Sequence, residues 1–312
     1  MINLVTGGAG FIGSHIIDYL LKKNEEIICI DNLLTGNREN LDKWGGDKNF
    51  TYLNHDIVNP IDLKVNKIWH LACPASPIHY QKDPIYTSKI LFQGTLNVLN
   101  IAYKNNAKLL IASSSEIYGN PTLHPQVESY FGNVNNIGIR SCYEEGKRMA
   151  ESLCYDFQRA KNINLRIARI FNTYGPGMLV NDGRVMSNFV CQALQKKSLT
   201  IYGDGSQTRS FCYISDMVKG LIKLMDSDYN KPINIGSEME MKIIDLASLI
   251  INNTYPDLKI DFHPEIKDDP LKRKPNIDIA KNVLGWNPTI NIQHGLSLTI
   301  DYFKNEINKH NI

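Results

Sequence analysis

The chain has 312 residues, 43% of them apolar and 21% charged, with a formal net charge of +2. That length exceeds one minimal domain and suits a large α/β domain with a smaller partner lobe. The near-neutral balance gives no case for a nucleic-acid partner or a membrane surface, and no apolar run reaches the ~18 residues that a membrane span needs. In chain order, short β-branched apolar runs alternate with longer amphipathic ones. Strands are expected at Ile2–Thr6, Glu26–Asp31, Phe50–His55, Lys67–Leu71, Lys108–Ser113 and Asn164–Ile170. Helices are expected at Phe11–Lys23, Pro84–Lys104 and Cys142–Lys161, with Pro84 suited to a first helical turn. Continuous apolar strands separated by helices imply a parallel sheet covered on both faces.

Beyond Arg169 the pattern loosens. A loop around Pro176, Gly177, Asp182 and Gly183 precedes an expected helix Met186–Lys196, a strand Leu199–Tyr202 and a turn Gly203–Gly205. Ser215 and Asp216 read as a helix start. The fold class is therefore α/β: a Rossmann-type doubly wound parallel sheet over residues 1–172 and a smaller C-terminal α/β lobe over 173–312. Part of 206–232 is expected to pack back onto the first unit. The six cysteines form no Cys-x-x-Cys pair and no zinc-ligand spacing, so no metal is expected and the thiols read as reduced. The first residues read as a core strand and not as a secretion signal, which points to the cytoplasm.

Gly7-Gly8-Ala9-Gly10-Phe11-Ile12-Gly13 stands between the first strand and the first helix. Gly7 permits the tight turn, Gly10 lets backbone approach a pyrophosphate, and Gly13 lets helix and strand pack closely. The helix N-terminus offers unpaired N–H groups to phosphate. Asp31 ends the second strand, where a carboxylate accepts from ribose hydroxyls and repels a 2′-phosphate, so NAD is expected over NADP. Asp56, at the end of the third strand, is a candidate for the adenine amino group. Phe11, Ile12, Asn32, Ile57, Leu71, Ala72 and Ser113, at the same loop and neighbouring strand ends, complete the expected cofactor site.

Tyr143 and Lys147 stand four residues apart on one helix face. A free tyrosine has a pKa of about 10, so service as a base near neutrality needs a shift of roughly three units. An adjacent ammonium and a positively charged nicotinamide can supply it. Lys147 would also hold the nicotinamide ribose, and Ser114 would hydrogen-bond the reacting hydroxyl.

Together these elements resemble the extended short-chain dehydrogenase/reductase family over essentially the whole chain. Narrower stretches are similar to its UDP-glucuronate decarboxylase branch. They include His70-Leu71-Ala72-Cys73-Pro74-Ala75-Ser76-Pro77, Ser114-Ser115-Glu116-Ile117-Tyr118-Gly119 and Cys142-Tyr143-Glu144-Glu145-Gly146-Lys147-Arg148. Further on come Arg169-Ile170-Phe171-Asn172-Thr173-Tyr174-Gly175-Pro176, Asp182-Gly183-Arg184-Val185, Gly205-Ser206-Gln207-Thr208-Arg209-Ser210-Phe211 and Asp268-Asp269-Pro270-Leu271-Lys272-Arg273.

The resemblance implies a UDP-sugar substrate and oxidation at C4′ by bound NAD. Loss of carbon dioxide and return of the hydride follow, with Tyr143, Lys147, Ser114, Ser115, Glu116 and Arg273 as the catalytic set. A related 4,6-dehydratase carries an acid where Ser115 stands, and serine is a poor general acid. A 4-epimerase has no use for Glu116. The resemblance directs Arg273 at the substrate carboxylate, which an arginine can hold through two parallel bonds. It assigns Arg209 and Asn172 to the diphosphate or sugar, and Ser115, Glu116 and Arg184 to the same substrate pocket. It also implies a homodimer, formed by Pro84–Lys104 and Cys142–Lys161, whose apolar positions Ile90, Leu91, Leu153 and Phe157 face such a partner or equally pack within one subunit. Gly175-Pro176-Gly177-Met178 departs from the branch by lacking an arginine at 177, which removes one positive charge. Cys73 stands where the branch carries a small residue, and packing explains it best. A nucleotide-sugar 4-epimerase, a 4,6-dehydratase-like enzyme and a non-catalytic NAD-binding regulator remain as alternatives.

Overall fold

The computed structural model describes residues 1–310. Seven parallel strands form the main sheet: β1 (Ile2–Thr6), β2 (Glu26–Asp31), β3 (Phe50–Asn54), β4 (Lys67–His70), β5 (Lys108–Ser114), β6 (Leu165–Ile170) and β7 (Pro232–Ile235). Their order is β7-β6-β5-β4-β1-β2-β3. Leu4, Val5, Ile27, Ile68, Leu109, Leu110 and Ile167 are wholly buried, so apolar side chains on both faces of the pleat leave water and hold the sheet between helix layers. The winding direction reverses between β1 and β4. A crevice therefore opens at the C-terminal ends of these strands, the usual place for a ligand in such sheets. The strands Phe50–His55 and Lys67–Leu71 end one residue earlier than expected, and β5 runs one residue further, to Ser114. β7 is a strand that the apolar pattern did not reveal.

Helix α1 (Phe11–Lys22) follows the glycine-rich turn directly. The long helix expected from Pro84 is α2, in three parts: Pro84–Lys89, a π turn at Ile90–Gly94, and Thr95–Asn105. Its N-terminus is capped by Asp83, whose side chain accepts from Tyr86 N at 2.9 Å. Helix α3 (Ser141–Lys161) crosses α2 at Gly146. A Cβ there would lie 2.5 Å from Leu91 Cδ1, so any larger residue would have to displace the Leu91 side chain. For Ile90 and Leu91 packing within the subunit holds: they are buried at 4% and 3% exposure, Ile90 in the core against which Leu153 and Phe157 are half-buried, and Leu91 against Tyr80 and Tyr143.

Outside the main sheet, Leu199–Tyr202 pairs with Ile260–His263 in parallel. Thr208–Ser210 lies between Glu240–Lys242 and Lys272–Arg273, and its register sets Arg273 opposite Arg209. The expected helix at 186–196 spans Val185–Leu194, because the chain turns out of helical geometry at Lys196, which has φ +56°. Helix α4 (Ile214–Asp226) and β7 return to the main sheet. Ser215 and Asp216 stand in the first turn of α4, as expected of a helix start; the residue before that helix is Tyr213, and Asp216 accepts from Thr289 N and Ile290 N, both at 2.7 Å, tying down the C-terminal segment. No helix among the described residues is long and apolar enough to cross a membrane.

Candidate active site

A cavity of about 400 Å³ opens at the switch point, and every residue singled out above as catalytic, cofactor-binding or substrate-binding lines it. At one end is the glycine-rich turn. Gly7 has φ +73°, and a Cβ on it would stand 2.7 Å from Ala72 N. A Cβ on Gly13 would stand 2.3 Å from Gly7 O. Backbone thus occupies the space that side chains would take, and the turn presents bare N–H groups at the start of α1. Asp31 is buried, with Oδ2 accepting from Ala9 N at 3.0 Å and Oδ1 from Leu33 N at 2.8 Å. Burial raises its pKa, opposed by those two backbone donors. This cradle fits a dinucleotide, with phosphates on the turn and a ribose against Asp31. Asp56 lies two residues beyond the end of β3, not on it. Its carboxylate accepts from Val58 N and from the Tyr86 hydroxyl, which Asn32 Nδ2 also meets at 3.2 Å. Ser113 turns its hydroxyl away from the cavity, donating to Glu151 at 2.5 Å, and Glu151 also pairs with Arg169.

At the other end, α3 carries Tyr143 and Lys147 into the cavity floor. Tyr143 is 5% exposed and stacks on Tyr80 at 4.9 Å with the rings 11° apart. Burial raises its pKa above that of a free phenol, Cys73 adds to the rise, and the Ser114 hydroxyl opposes it. Lys147 Nζ donates to Ala112 O at 2.6 Å and stands 5.7 Å from the Tyr143 ring centre. Burial lowers the Lys147 pKa. Cys73 is neutral there, since burial pushes its thiol up to about 11, in keeping with a packing role. Asn172 and Arg184 line the same cavity, and Arg184 is clamped by Asp182 through bonds of 2.5 and 2.6 Å. Gly177 has φ +93°, and a Cβ on it would stand 3.1 Å from His15 Nε2. That nitrogen is 2.7 Å from Pro176 O. A left-handed backbone beside His15 gives the departure at this position a physical reason, because an arginine there would be strained.

Between the two ends is a cluster of charges that draws on the end of β5 and on the short strands Thr208–Ser210 and Lys272–Arg273. Glu116 follows β5 in a tight turn (Ser115–Tyr118), with Glu116 N donating to Ser114 Oγ at 3.2 Å. Its carboxylate meets Arg273 Nη1 at 2.7 Å and Arg140 Nη2 closely. Burial alone would raise its pKa, but the Arg273 and Arg140 guanidiniums outweigh burial and bring it down to about 2. Glu116 is therefore ionised and is not a ready proton donor at neutral pH. Arg209 pairs with Asp269 at 2.7 Å, and Asp269 also faces Arg140 at 3.5 Å. Arg273 is 6% exposed, and its Nη2 is buried without a hydrogen-bond partner. A buried, charged donor left unpaired is costly, so this atom is poised to take up an anionic oxygen.

Sequence reasoning passed over Arg140 and Asp269, which share this cluster. The available signal for Arg140 was its helical spacing to Glu144, realised as an Arg140 Nε–Glu144 Oε1 contact of 3.2 Å. Asp269 stands four residues before Arg273 in the stretch Asp268–Arg273, where nothing local marks it as a partner of Arg140 and Arg209.

A doubly wound sheet, a phosphate-binding turn and a tyrosine–lysine pair over one cavity define a dinucleotide-dependent enzyme that acts on an alcohol. The chain belongs to the NAD dependent epimerase/dehydratase family, whose pattern matches residues 3–236. It is 50% identical over 304 residues to UDP-glucuronic acid decarboxylase 4 of Arabidopsis thaliana, covering 97% of this chain and 69% of that one. It is 49% identical over 304 residues to UDP-glucuronic acid decarboxylase 1 of Danio rerio, covering 97% and 73%. Among solved structures, UDP-glucuronic acid 4-epimerase from Bacillus cereus, in complex with UDP-glucuronic acid and NAD, superposes with a TM-score of 0.89 at 27% identity, covering 98% and 100%.

Proposed function

We propose that this chain decarboxylates UDP-glucuronate to UDP-xylose. The observation that carries the reading is Arg273: buried, paired to Glu116 through one nitrogen, with a second nitrogen unpaired, in the wall of the cavity that the tyrosine–lysine pair also lines. The relatives named above, at about half identity across nearly the whole chain, support the same substrate.

Gly7, Gly10, Gly13 and Asp31 would hold the cofactor, with Lys147 toward its nicotinamide ribose. Bound there, NAD would supply the two-electron chemistry at C4′, as hydride acceptor and donor. Tyr143 takes the proton of the C4′ hydroxyl, and Ser114 holds that oxygen in line. The resulting 4-keto acid is a β-keto acid, so its carboxyl group departs as carbon dioxide while electrons move into the ketone. Arg273 orients the carboxylate before it leaves. Ionised Glu116 fixes Arg273 and, with Ser115, shapes the wall facing the sugar. Arg209, Asn172 and Arg184 receive the diphosphate end, where arginine forks match phosphate oxygens. Proton transfer to C5′ and reduction of the ketone complete UDP-xylose. The test is incubation of the purified protein with UDP-glucuronate, following carbon dioxide and the nucleotide-sugar products by NMR. UDP-xylose with carbon dioxide is expected, and UDP-galacturonate without carbon dioxide would replace this reading by an epimerase.

We also propose a homodimer through α2 and α3. Ile85, Phe92 and Met149 are 83%, 45% and 48% exposed on these helices and supply apolar area for a partner. Sedimentation velocity checks it.

A further inference from the structure

Behind the charge cluster lies a second cavity, whose wall includes Glu144, Glu265, Lys267, Asp268 and Asp269. Asp269 also lines the main cavity, as does Arg140. Arg140 is therefore a bridge between the two spaces. One nitrogen reaches Glu116 on the reaction side, Nε reaches Glu144 on the outer side at 3.2 Å, and Nη1 faces Asp269 at 3.5 Å. Arg140 and Glu144 are 3% and 2% exposed, so these contacts are made largely out of water and are worth more than surface pairs. Three carboxylates thus share one guanidinium, each on its own nitrogen. A second guanidinium, Arg273, holds Glu116 from the far side, and Arg209 holds Asp269.

We propose that Glu144 is a positioning residue for the decarboxylation. Through Arg140 it sets where the Glu116 carboxylate stands, and its protonation decides whether Arg140 is shared between them or left to Glu116. The inference rests on the function proposed above and concerns the same site. Nothing in that mechanism uses Glu144. A carboxylic acid in the first turn of a helix is ordinarily ionised, since the helix terminus favours negative charge. Here burial and the neighbouring Glu116 charge push Glu144 up to about 7, against the pull of Arg140 and Arg273. The groups facing it are Arg140 and Cys142 at the start of its own helix, Tyr80 from the segment before α2, Glu116 after β5, Arg273, and Glu265, Lys267, Asp268 and Asp269 across the outer cavity. When Glu144 is neutral, Arg140 is given to Glu116 and Asp269. Glu116 then stays close to Arg140, and Arg273 keeps its free nitrogen for the incoming carboxylate. When Glu144 ionises, a further negative charge enters the cluster. Arg140 is drawn toward the outer cavity, Glu116 leans more on Arg273, and an anionic substrate meets added repulsion.

The experiment compares kcat/KM for UDP-glucuronate in the wild type, Glu144→Gln and Glu144→Asp from about pH 6 to about pH 8.5, a window that brackets free-enzyme titrations near neutrality. The ratio of wild type to the Gln variant at each pH removes the limb common to both, including any contribution of Tyr143. That ratio is expected to fall about tenfold as pH rises, the effect of one pKa unit of coupling. The Asp variant, which keeps a titrating carboxyl on a shorter arm, should retain a falling limb at a displaced midpoint. A pH-independent ratio, or equal losses in both variants at all pH values with NAD content unchanged, would overturn the assignment and leave Glu144 a fixed structural residue. If the Gln variant does not fold, coincident wild-type and Asp profiles overturn it equally. Absence of wild-type turnover of UDP-glucuronate instead rejects the parent reading, so the two failures are distinct.

Discussion

Replacing Arg273 with lysine isolates the atom that selects a uronate. In the structure Nη1 is bound to Glu116 at 2.7 Å while Nη2 is buried and unpaired. A charge-assisted hydrogen bond from such a donor to a carboxylate contributes about 1.5–3 kcal/mol net, which is roughly 10–100-fold in affinity. Lysine keeps the positive charge and can still meet Glu116, but as a point charge it cannot offer a second, parallel donor. The Kd of UDP-glucuronate, measured by calorimetry on the NAD-loaded variant, should therefore rise by about 10–100-fold. UDP-glucose has no carboxylate to lose that bond, so its Kd should change far less. Equal weakening of both nucleotides would mean that Arg273 acts only by holding the fold of the site. No weakening of either would remove it from substrate recognition.

Gly13→Ala places a Cβ 2.3 Å from Gly7 O, a backbone atom that cannot turn aside. The phosphate turn must then shift, at a cost of about 1–3 kcal/mol, and NAD affinity should fall at least tenfold or so by fluorescence titration. Glu116→Gln removes a carboxylate whose pKa stands at about 2 against an ordinary 4.5. Because the folded value is depressed, the pair stabilises the protein above the unfolded pKa, and that stabilisation is lost as pH falls toward the folded one. The shift corresponds to about 3 kcal/mol. Urea midpoints at neutral pH should show the variant less stable by an amount of that order, with the gap narrowing in acid; a gap independent of pH would contradict it.

The sheet was legible because six of its strands are apolar runs that cannot be read as amphipathic helix. β7 escaped because Pro232-Ile233-Asn234-Ile235 is too short and too mixed to stand out from loop. The π turn at Ile90–Gly94 in α2 left no mark on the apolar periodicity of that helix. The nucleotide turn and the Tyr143–Lys147 pair are local in sequence, so spacing alone brought them together. The charge cluster is not local. Arg209 and Arg273 become neighbours only through pairing of two short strands, and Arg140 joins Glu116 across 24 positions. Pairings at that range depend on the finished packing, which no window of residues contains.

The structure makes the chemistry of Tyr143 harder than the sequence suggested, and this locates the source of its activation. Burial raises the phenol's pKa, so the shift required exceeds the roughly three units reckoned for a free tyrosine. Lys147 is itself buried, its pKa lowered, with one of its donors committed to Ala112 O at 2.6 Å. Residues of the chain therefore hold the phenol neutral, and the balance must be tipped by charge that arrives with the ligand. An oxidised nicotinamide carries a positive charge that its reduced form lacks. Ultraviolet difference titration should show the phenolate of Tyr143 appearing at lower pH in the NAD⁺-loaded protein than in the NADH-loaded or cofactor-free protein, with the signal absent from Tyr143→Phe. Identical titrations in all three states would mean that the ionised base owes nothing to the cofactor's charge, and that Ser114 and Lys147 must supply the whole shift against burial.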